Sequence, residues 1–450
     1  MIMEQSFSVK NFRSIYDLDL KNRGDLEREY FEKAYAERLK IRVLKKFKYR
    51  ILSKFKKGVI TKEFYEKRVD LIRKLLEVRK GRYNSFVNDE IESICNKVNR
   101  KRYNLPLSKL PDQISGKDVF TIGKSVESVF VTRHLHNIIR STYNIKQSHR
   151  DLIVSRVKSI CLDKSPKYIV KADVKDFYES IEHELIIKKL HASTKLSVLP
   201  KRILTQLLRS YAKLVGCDKG LPRGVGLSAY LSEVYMKDLD EELVNNPDLT
   251  FYSRYVDDLI LIYSPDVIKD KSHYLKVVDE AVGRKKLKLN NKTKEIDLTV
   301  DKAQEFEYLG YRFLLKGKDI AIRISSKRVD KYKDRINQAF DNYFKKCKYN
   351  PDKKADLLID KIRFLTGNTR LLHAKSKAFT GVYFNNMYIN DISDLEEIDK
   401  YLRNKLLAIT DQRLHRRLNK FSFVEGFENK VFRSFTTADL KNITRGWKDA

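Results

Sequence analysis

Two neighbouring carboxylates, Asp257 and Asp258, interrupt an otherwise aromatic and apolar stretch from Phe251 to Tyr263, FYSRYVDDLILIY. Residues of this kind favour strands, and a two-strand reading places the acids at the tip of a hairpin. A strand pair apolar enough for a core does not ordinarily carry acids at its turn. Desolvating adjacent carboxylates costs roughly several kcal/mol per ion unless a cation sits beside them. A divalent metal is the natural partner, because carboxylate oxygens suit Mg²⁺. Taken alone, the pair reads equally well as a solvated turn, so the rest of the chain has to decide.

At 450 residues the chain has room for a sizeable core and two or three domains. Lysine and arginine number 93 against 60 acids, a formal net charge of +33. Such a surface ordinarily meets nucleic acid, with an anionic membrane as the competing partner. No apolar run approaches the ~18 residues of a membrane span. The first residues also lack the charged-then-apolar pattern of a signal peptide. Cys95, Cys161, Cys217 and Cys347 stand far apart with no CxxC pair. Neither a zinc knuckle nor a disulfide framework is indicated, and a reducing cytoplasm fits.

From about Leu26 to Lys80 the pattern predicts two long helices meeting near Gly58. Leu39, Val43, Phe47, Ile51 and Phe55 form one apolar stripe, surrounded by Lys45, Lys46, Lys48, Arg50, Lys54, Lys56 and Lys57. Cations interleaved with aromatics suit nucleic acid, although a solvated charged face reads as well. Between Asn99 and Ile169 short apolar pieces alternate with basic ones. Arg133, Arg140, Lys146 and Arg150 are there to hold a triphosphate or a template, or are ordinary surface charges. A helix after Arg150 carries Leu152, Ile153, Val157 and Ile160 and ends before Pro166.

The segment Tyr168 to Ile181, YIVKADVKDFYESI, runs from an apolar strand into Asp173 and then towards a helix. An acid at a strand end beside a helix N-terminus suits a metal and a phosphate together. Asp176 reads as the helix cap; Asp173, inside the apolar run, does not. Gly220 to Tyr235 is a Pro/Gly loop opening onto a helix of small residues, where Gly224 and Gly226 admit close backbone approach. After the hairpin come a helix from His273 to Val282, a lysine-bearing turn between Leu287 and Glu295, and a strand bend from Phe306 to Phe313 centred on Gly310. Beyond about Arg323 helices take over: Lys331 to Lys348, Leu357 to Leu365 and Leu395 to Ile409. The stretches Ile362 to Asn368 and Gly381 to Asn386 read as turns.

One economical explanation joins these parts. Asp173 and Asp257, 84 positions apart, hold two Mg²⁺ ions about 4 Å from each other, with Asp258 assisting, and clamp an in-line phosphoryl displacement. The intervening chain reads as an interrupted βαβ unit. In this order the motifs resemble the fingers and palm of a reverse transcriptase over about residues 105–320. Tyr255-Val-Asp-Asp258 matches that family's signature, as distinct from the Gly-Asp-Asp of viral RNA-dependent RNA polymerases.

The resemblance implies an α+β right-hand polymerase: fingers, a palm with an antiparallel sheet, a helical thumb and an N-terminal helical extension. Its domains would be 1–104 (basic helical region), 105–322 (fingers and palm) and 323–450 (thumb and C-terminal region). It implies an RNA-directed DNA polymerase with Asp173, Val174, Asp257 and Asp258 at two Mg²⁺ ions. Tyr178 falls at the position that selects deoxynucleotides. Arg223 and Gly224 match the loop lining the templating pair, and Lys292 the turn near the pyrophosphate. Arg140, Lys146 and Arg150 remain candidates for the triphosphate. Tyr308, Leu309 and Gly310 resemble the primer grip, while Lys45, Lys46, Lys48, Lys54, Lys331 and Lys333 are expected to contact nucleic acid.

Tyr143-Asn-Ile-Lys-Gln147 with Arg150, Asp176-Phe-Tyr-Glu-Ser-Ile181, Phe364-Leu-Thr-Gly-Asn368 and Tyr383-Phe-Asn-Asn386 are similar to stretches of bacterial reverse transcriptases of anti-phage defence, related to those of retrons and group II introns. The opening Gln5 to Arg13, QSFSVKNFR, resembles the type 3 group most. Such enzymes copy a dedicated non-coding RNA into DNA from dNTPs, and this group acts with a second reverse transcriptase. No retroviral RNase H, integrase or HNH nuclease pattern follows the thumb. Two other readings use the same residues: an RNA-dependent RNA polymerase, and a catalytically silent RNA-binding scaffold.

Overall fold

The computed structural model describes the chain apart from residues 1–3, 23, 115, 147, 164, 271, 300–302, 317–318, 346–350, 372–377, 446 and 448–450, and the side chains of 351 and 352. Gln147, Cys347 and Lys348 therefore lie outside the described residues. The chain divides into two compact units. One comprises residues 1–147, 175–241 and 285–287, the other residues 148–174, 242–284 and 288–450.

The first unit is helical. The helix Glu32–Lys56 and the 37-residue helix Lys62–Val98 pack along each other, with Gly58 at φ 70° in the turn between them. Thr61 starts the second by accepting the Phe64 amide on its hydroxyl, the usual N-cap bond. The two long helices expected from the sequence are present, and the far end of the apolar stripe packs between them, with Phe55 stacked on Tyr65 at 4.5 Å, but its first part faces elsewhere. Ile41 packs with Ile72 and Leu76, and Leu44, Ile51 and Tyr83 join them. Leu39, Val43 and Phe47 stand 42, 52 and 51% exposed. The helix carries apolar side chains on two faces, and the neighbour covers only the one bearing Ala34 and Ile41. Further along, Val87, Ile91, Ile94 and Val98 are fully buried where the long helix packs on the helices Val9–Asn22 and Val126–Thr142. Two short strands, β1 (Leu107–Lys109) and β2 (Phe120–Ile122), pair antiparallel.

The second unit holds the sheets. Strands β3 (Tyr168–Asp173), β4 (Leu249–Tyr255), β5 (Asp258–Tyr263) and β6 (Lys294–Asp297) form a sheet in the order β4-β5-β3-β6, every neighbouring pair antiparallel. The expected βαβ unit is thus corrected: β3 and β4 run the same way, but the hairpin strand β5 lies between them. Strands β7 (Gln304–Tyr308), β8 (Tyr311–Lys316) and β9 (Asp319–Ile324) form a second antiparallel sheet. This architecture is the α+β class with antiparallel sheets anticipated from the sequence. Ile169, Ile260 and Ile262 belong to one apolar cluster that continues through Phe313 and Ile336 to Leu395 and Leu402.

After β9 come the helices Ser326–Phe344, Pro351–Leu365 and Ser393–Leu406. The two stretches expected to be turns are more ordered than that. Strands β10 (Asn368–Arg370) and β11 (Phe379–Gly381) pair, and Val382–Asn386 is a helix. Asn368 explains it: its side chain donates to Gly426 O at 3.0 Å and accepts the Tyr383 amide at 2.9 Å, bonds between segments far apart in sequence. No helix among the described residues is long and apolar enough to cross a membrane.

Replacing Ile260, wholly buried in β5, with alanine is expected to cost about 2–5 kcal/mol in urea denaturation. Val43→Ala, on the exposed stripe, is expected to stay within about 0.5 kcal/mol of wild type. Equal losses at the two positions would contradict this assignment of faces.

Candidate active site

Antiparallel registry places the acids. Asp173 ends β3 and lies directly opposite Asp258, the first residue of β5, which is also paired with Tyr255 across the hairpin. Val256 and Asp257 form the two-residue turn, with Val256 at φ 61°. Glycine is the usual residue at such a position, and a β-branched side chain there carries strain of the order of 1–3 kcal/mol. Two bonds to main-chain carbonyls hold the turn in place: the Arg254 guanidinium donates to Val256 O at 3.0 Å, and the Val174 amide donates to Asp257 O at 3.1 Å. The Asn290 amide donates to Asp173 O at 2.7 Å, and its side chain donates to Asp173 Oδ2 at 2.9 Å. The Thr293 hydroxyl accepts the Asp173 amide at 3.2 Å.

Charge follows from this geometry. Burial pushes the Asp258 carboxyl above its ordinary range, and the Asp173 and Asp257 carboxylates add to the effect. Lys171 opposes them with Nζ 3.2 Å from Asp258 Oδ1. A carboxylate whose proton affinity is raised by two neighbouring acids fits a divalent cation, whose oxygen preference matches this donor set. Among the described residues no group of three acids, histidines or cysteines is already closed around a metal position. Two of the acids are instead engaged by Lys171 and Asn290.

Asp258 and Lys171 face a cleft of about 590 Å³ that Lys292, Lys294 and the turn from Tyr308 to Gly310 also line. Leu309 (φ 46°) and Gly310 (φ 78°) make that turn a tight hairpin between β7 and β8. The cleft therefore brings together Asp258, Lys292, Tyr308, Leu309 and Gly310. Lys171, Asn290 and Thr293 were not singled out from the sequence. Lys171 had a signal there: it stands two residues before Asp173, hence on the same strand face.

Of the other expected nucleotide contacts, Tyr178, Arg223, Gly224, Arg140 and Lys146 lie in the first unit and Arg150 in the second. The Leu221 amide donates to Tyr178 O at 2.8 Å, and the Arg223 guanidinium lies 5.5 Å from the centre of the Tyr178 ring. Arg223 also makes two bonds to Glu179, at 2.5 and 2.9 Å. Burial pushes the Glu179 carboxyl up, but Arg223 and Lys117 outweigh it and hold it low. Gly224 is at φ 85°, and a Cβ there would come within 2.7 Å of Phe120 O. Asp176 occupies the cap position of the helix Phe177–Ser180, yet its side chain makes no capping bond and pairs with Lys117 at 2.8 Å instead.

Cations assigned from the sequence divide sharply. Arg140, Lys146, Lys45, Lys46, Lys54 and Lys331 are exposed, and Lys48 is half-buried. Arg133 is engaged by Asp19 at 2.8 Å and Lys333 by Glu397 at 2.6 Å. Arg150 donates twice to Leu309 O, at 2.9 and 2.5 Å, so its guanidinium braces the β7–β8 turn.

Residues 119–313 match the family model described as reverse transcriptase (RNA-dependent DNA polymerase), a stretch that holds Asp173, Asp257 and Asp258. No curated protein matches the sequence. Among solved structures, apo telomerase from Candida tropicalis is similar at 12% identity, covering 77% of this chain and 62% of that one, with a TM-score of 0.38. A form of it truncated from the C-terminal domain is similar at 13% identity, covering 49% and 55%, with a TM-score of 0.35. Telomerase from Candida albicans with a fragment of telomeric RNA gives 13% identity, 79% and 64% coverage, and a TM-score of 0.33. The chain thus spans less than two thirds of the length of these three. Likenesses of this size carry no argument of their own; the domain match and the sheet order do.

Gly224→Ala is expected to destabilise the protein by about 1–3 kcal/mol, from forcing a side chain into a left-handed, crowded position. Denaturation indistinguishable from wild type would refute the close approach of this loop to Phe120.

Proposed function

We propose that this chain, an RNA-directed DNA polymerase by its reverse transcriptase domain, copies an associated non-coding RNA into DNA in bacterial anti-phage defence. The observation that carries the polymerase part is the pairing of Asp173 with Asp258 beside the Asp257 turn. The defence part is supported by the sequence resemblance at Tyr143 to Gln147 with Arg150, Asp176 to Ile181, Phe364 to Asn368 and Tyr383 to Asn386, and the type 3 group by Gln5 to Arg13. We assign residues 1–104 to a basic helical extension, 105–322 to fingers and palm, and 323–450 to the thumb and C-terminal region. A second reverse transcriptase subunit and a bacterial cytoplasmic setting belong to the same reading.

Asp173, Asp257 and Asp258, with the backbone at Val174, would hold two Mg²⁺ ions, which when bound acidify a primer 3′-hydroxyl and neutralise the leaving pyrophosphate. In the reaction the 3′-oxygen forms a bond to the α-phosphorus, the bond to pyrophosphate breaks, and the hydroxyl proton departs. The chain's own residues orient the participants. Asn290 and Thr293 fix Asp173, and Lys171 favours the charged form of Asp258 against burial and the repulsion of its neighbours. Lys292 and Lys294 give the cleft positive charge where pyrophosphate leaves. The Tyr308–Gly310 turn is assigned to the primer end, and Tyr178 with Arg223 and Gly224 to the incoming nucleotide.

Primer extension on an RNA template, comparing wild type with the double variant Asp257→Asn, Asp258→Asn, is expected to fall by more than about three orders of magnitude. Equal, absent synthesis in both, with a structured RNA bound, would establish a scaffold instead. Tyr178→Ala is expected to raise ribonucleotide incorporation relative to deoxynucleotide by about tenfold or more, about 1.4 kcal/mol of discrimination. An unchanged ratio would point to an RNA polymerase.

A further inference from the structure

Behind the β7–β8 turn the second unit contains a smaller cavity, about 180 Å³, lined by Arg150, Arg328, Lys331, Tyr332, Arg335 and Asn385. Four of its six lining side chains are cations and none is an acid. Elsewhere in the second unit, cations meet carboxylates: Lys333 pairs with Glu397 at 2.6 Å, Arg312 with Asp394 at 3.4 Å and Arg323 with Asp391 at 2.6 Å. In this cavity the partners are neutral. Arg150 gives two bonds to Leu309 O, while Arg328 donates to Asn385 O at 2.7 Å and Asn386 Oδ1 at 3.0 Å. Both guanidinium groups lie over the Tyr311 ring, at 5.5 and 5.2 Å. Arg335 Nε is buried with no hydrogen-bond partner.

Gathering uncompensated cations in a half-buried cavity is costly unless an anion joins them. Burial disfavours the charged form of Arg328, the neighbouring charge of Arg150 adds to this, and only the Tyr311 and Tyr332 rings and hydroxyls oppose it. Arginine forks with a tyrosine hydroxyl nearby are the donors that recognise phosphate oxygens.

We propose that this cavity is a phosphate-binding site, separate from the carboxylate cleft, taking either a backbone phosphate of a bound polynucleotide or a free phosphate group. The polynucleotide source rests on the polymerase reading above. Because Arg150 and Arg328 line the cavity and also reach Leu309 O, an occupant bears directly on the residues that fix the Tyr308–Gly310 turn.

The test uses the full chain and two variants, Lys331→Gln on the exposed rim and Arg335→Gln in the wall, with Arg335→Lys as a charge-keeping control for folding. Anisotropy of a labelled RNA–DNA primer–template is followed between about 50 and 200 mM KCl. A backbone phosphate predicts that each neutralising variant lowers the slope of log affinity against log salt by about 0.9. In parallel, thermal unfolding is measured with inorganic phosphate against chloride at equal ionic strength. An unchanged slope, with phosphate stabilisation present in wild type and lost in both neutralising variants, identifies a free phosphate as the occupant. If neither the slope nor the phosphate response differs from wild type in Lys331→Gln and Arg335→Gln, the site is refuted. Primer extension on the same samples separates the two claims. Absent synthesis in wild type with the phosphate response intact sinks only the polymerase reading; normal synthesis with neither response sinks only the cavity.

Discussion

Antiparallel pairing of β3 with β5 sets two carboxylates opposite each other, and the rest of the second unit is arranged around tolerating them. Like charges at that spacing repel, and burial removes the water that would screen them. The main chain supplies the restraint: Val174 and Asn290 donate across the strand ends, and Lys171 supplies a countercharge on the same strand face. The apolar body of β5, from Leu259 to Tyr263, is wholly buried and anchors the hairpin against that repulsion. A turn with Val256 in a glycine-like conformation then presents Asp257 at the tip.

A second device is the β7–β8 turn. Two positive φ values shape it locally, but a hairpin tip is free to rock unless something grips its carbonyls. Arg150, from the helix Arg150–Leu162, and Arg328, from the helix Ser326–Phe344, reach it from different parts of the chain. Arginine suits this work because one planar group can donate to a carbonyl and stack on Tyr311 at once. The same choice leaves positive charge without acid partners, the feature on which the proposed phosphate site stands.

Sequence patterning was informative where a local rule operates. Apolar and aromatic runs beside Asp173 and the Asp257–Asp258 pair marked strands, and the Leu309–Gly310 bend marked a turn, because strand and turn preferences are decided by near neighbours. It misled where an element has two apolar faces. In the helix Glu32–Lys56 the stripe through Leu39, Val43 and Phe47 has the right period but the wrong face, since only the packing of Ile72 and Leu76 selects which side is covered. Asn368 and Gly381 read as turns for a similar reason: their strand pairing depends on Gly426 and Val431, some sixty residues away.

What the residues determined unaided is chemistry and order: which acids, which glycines, which lysine turn, and a charge balance suited to a polyanion. Tertiary structure decided how each charge is used. Arg150, Arg223 and Arg133 are indistinguishable as letters, yet one braces a turn, one clamps Glu179 and one neutralises Asp19. Those assignments arise from which carbonyl or carboxylate lies within about 3 Å of a guanidinium, and that distance is set by chain segments far apart in sequence.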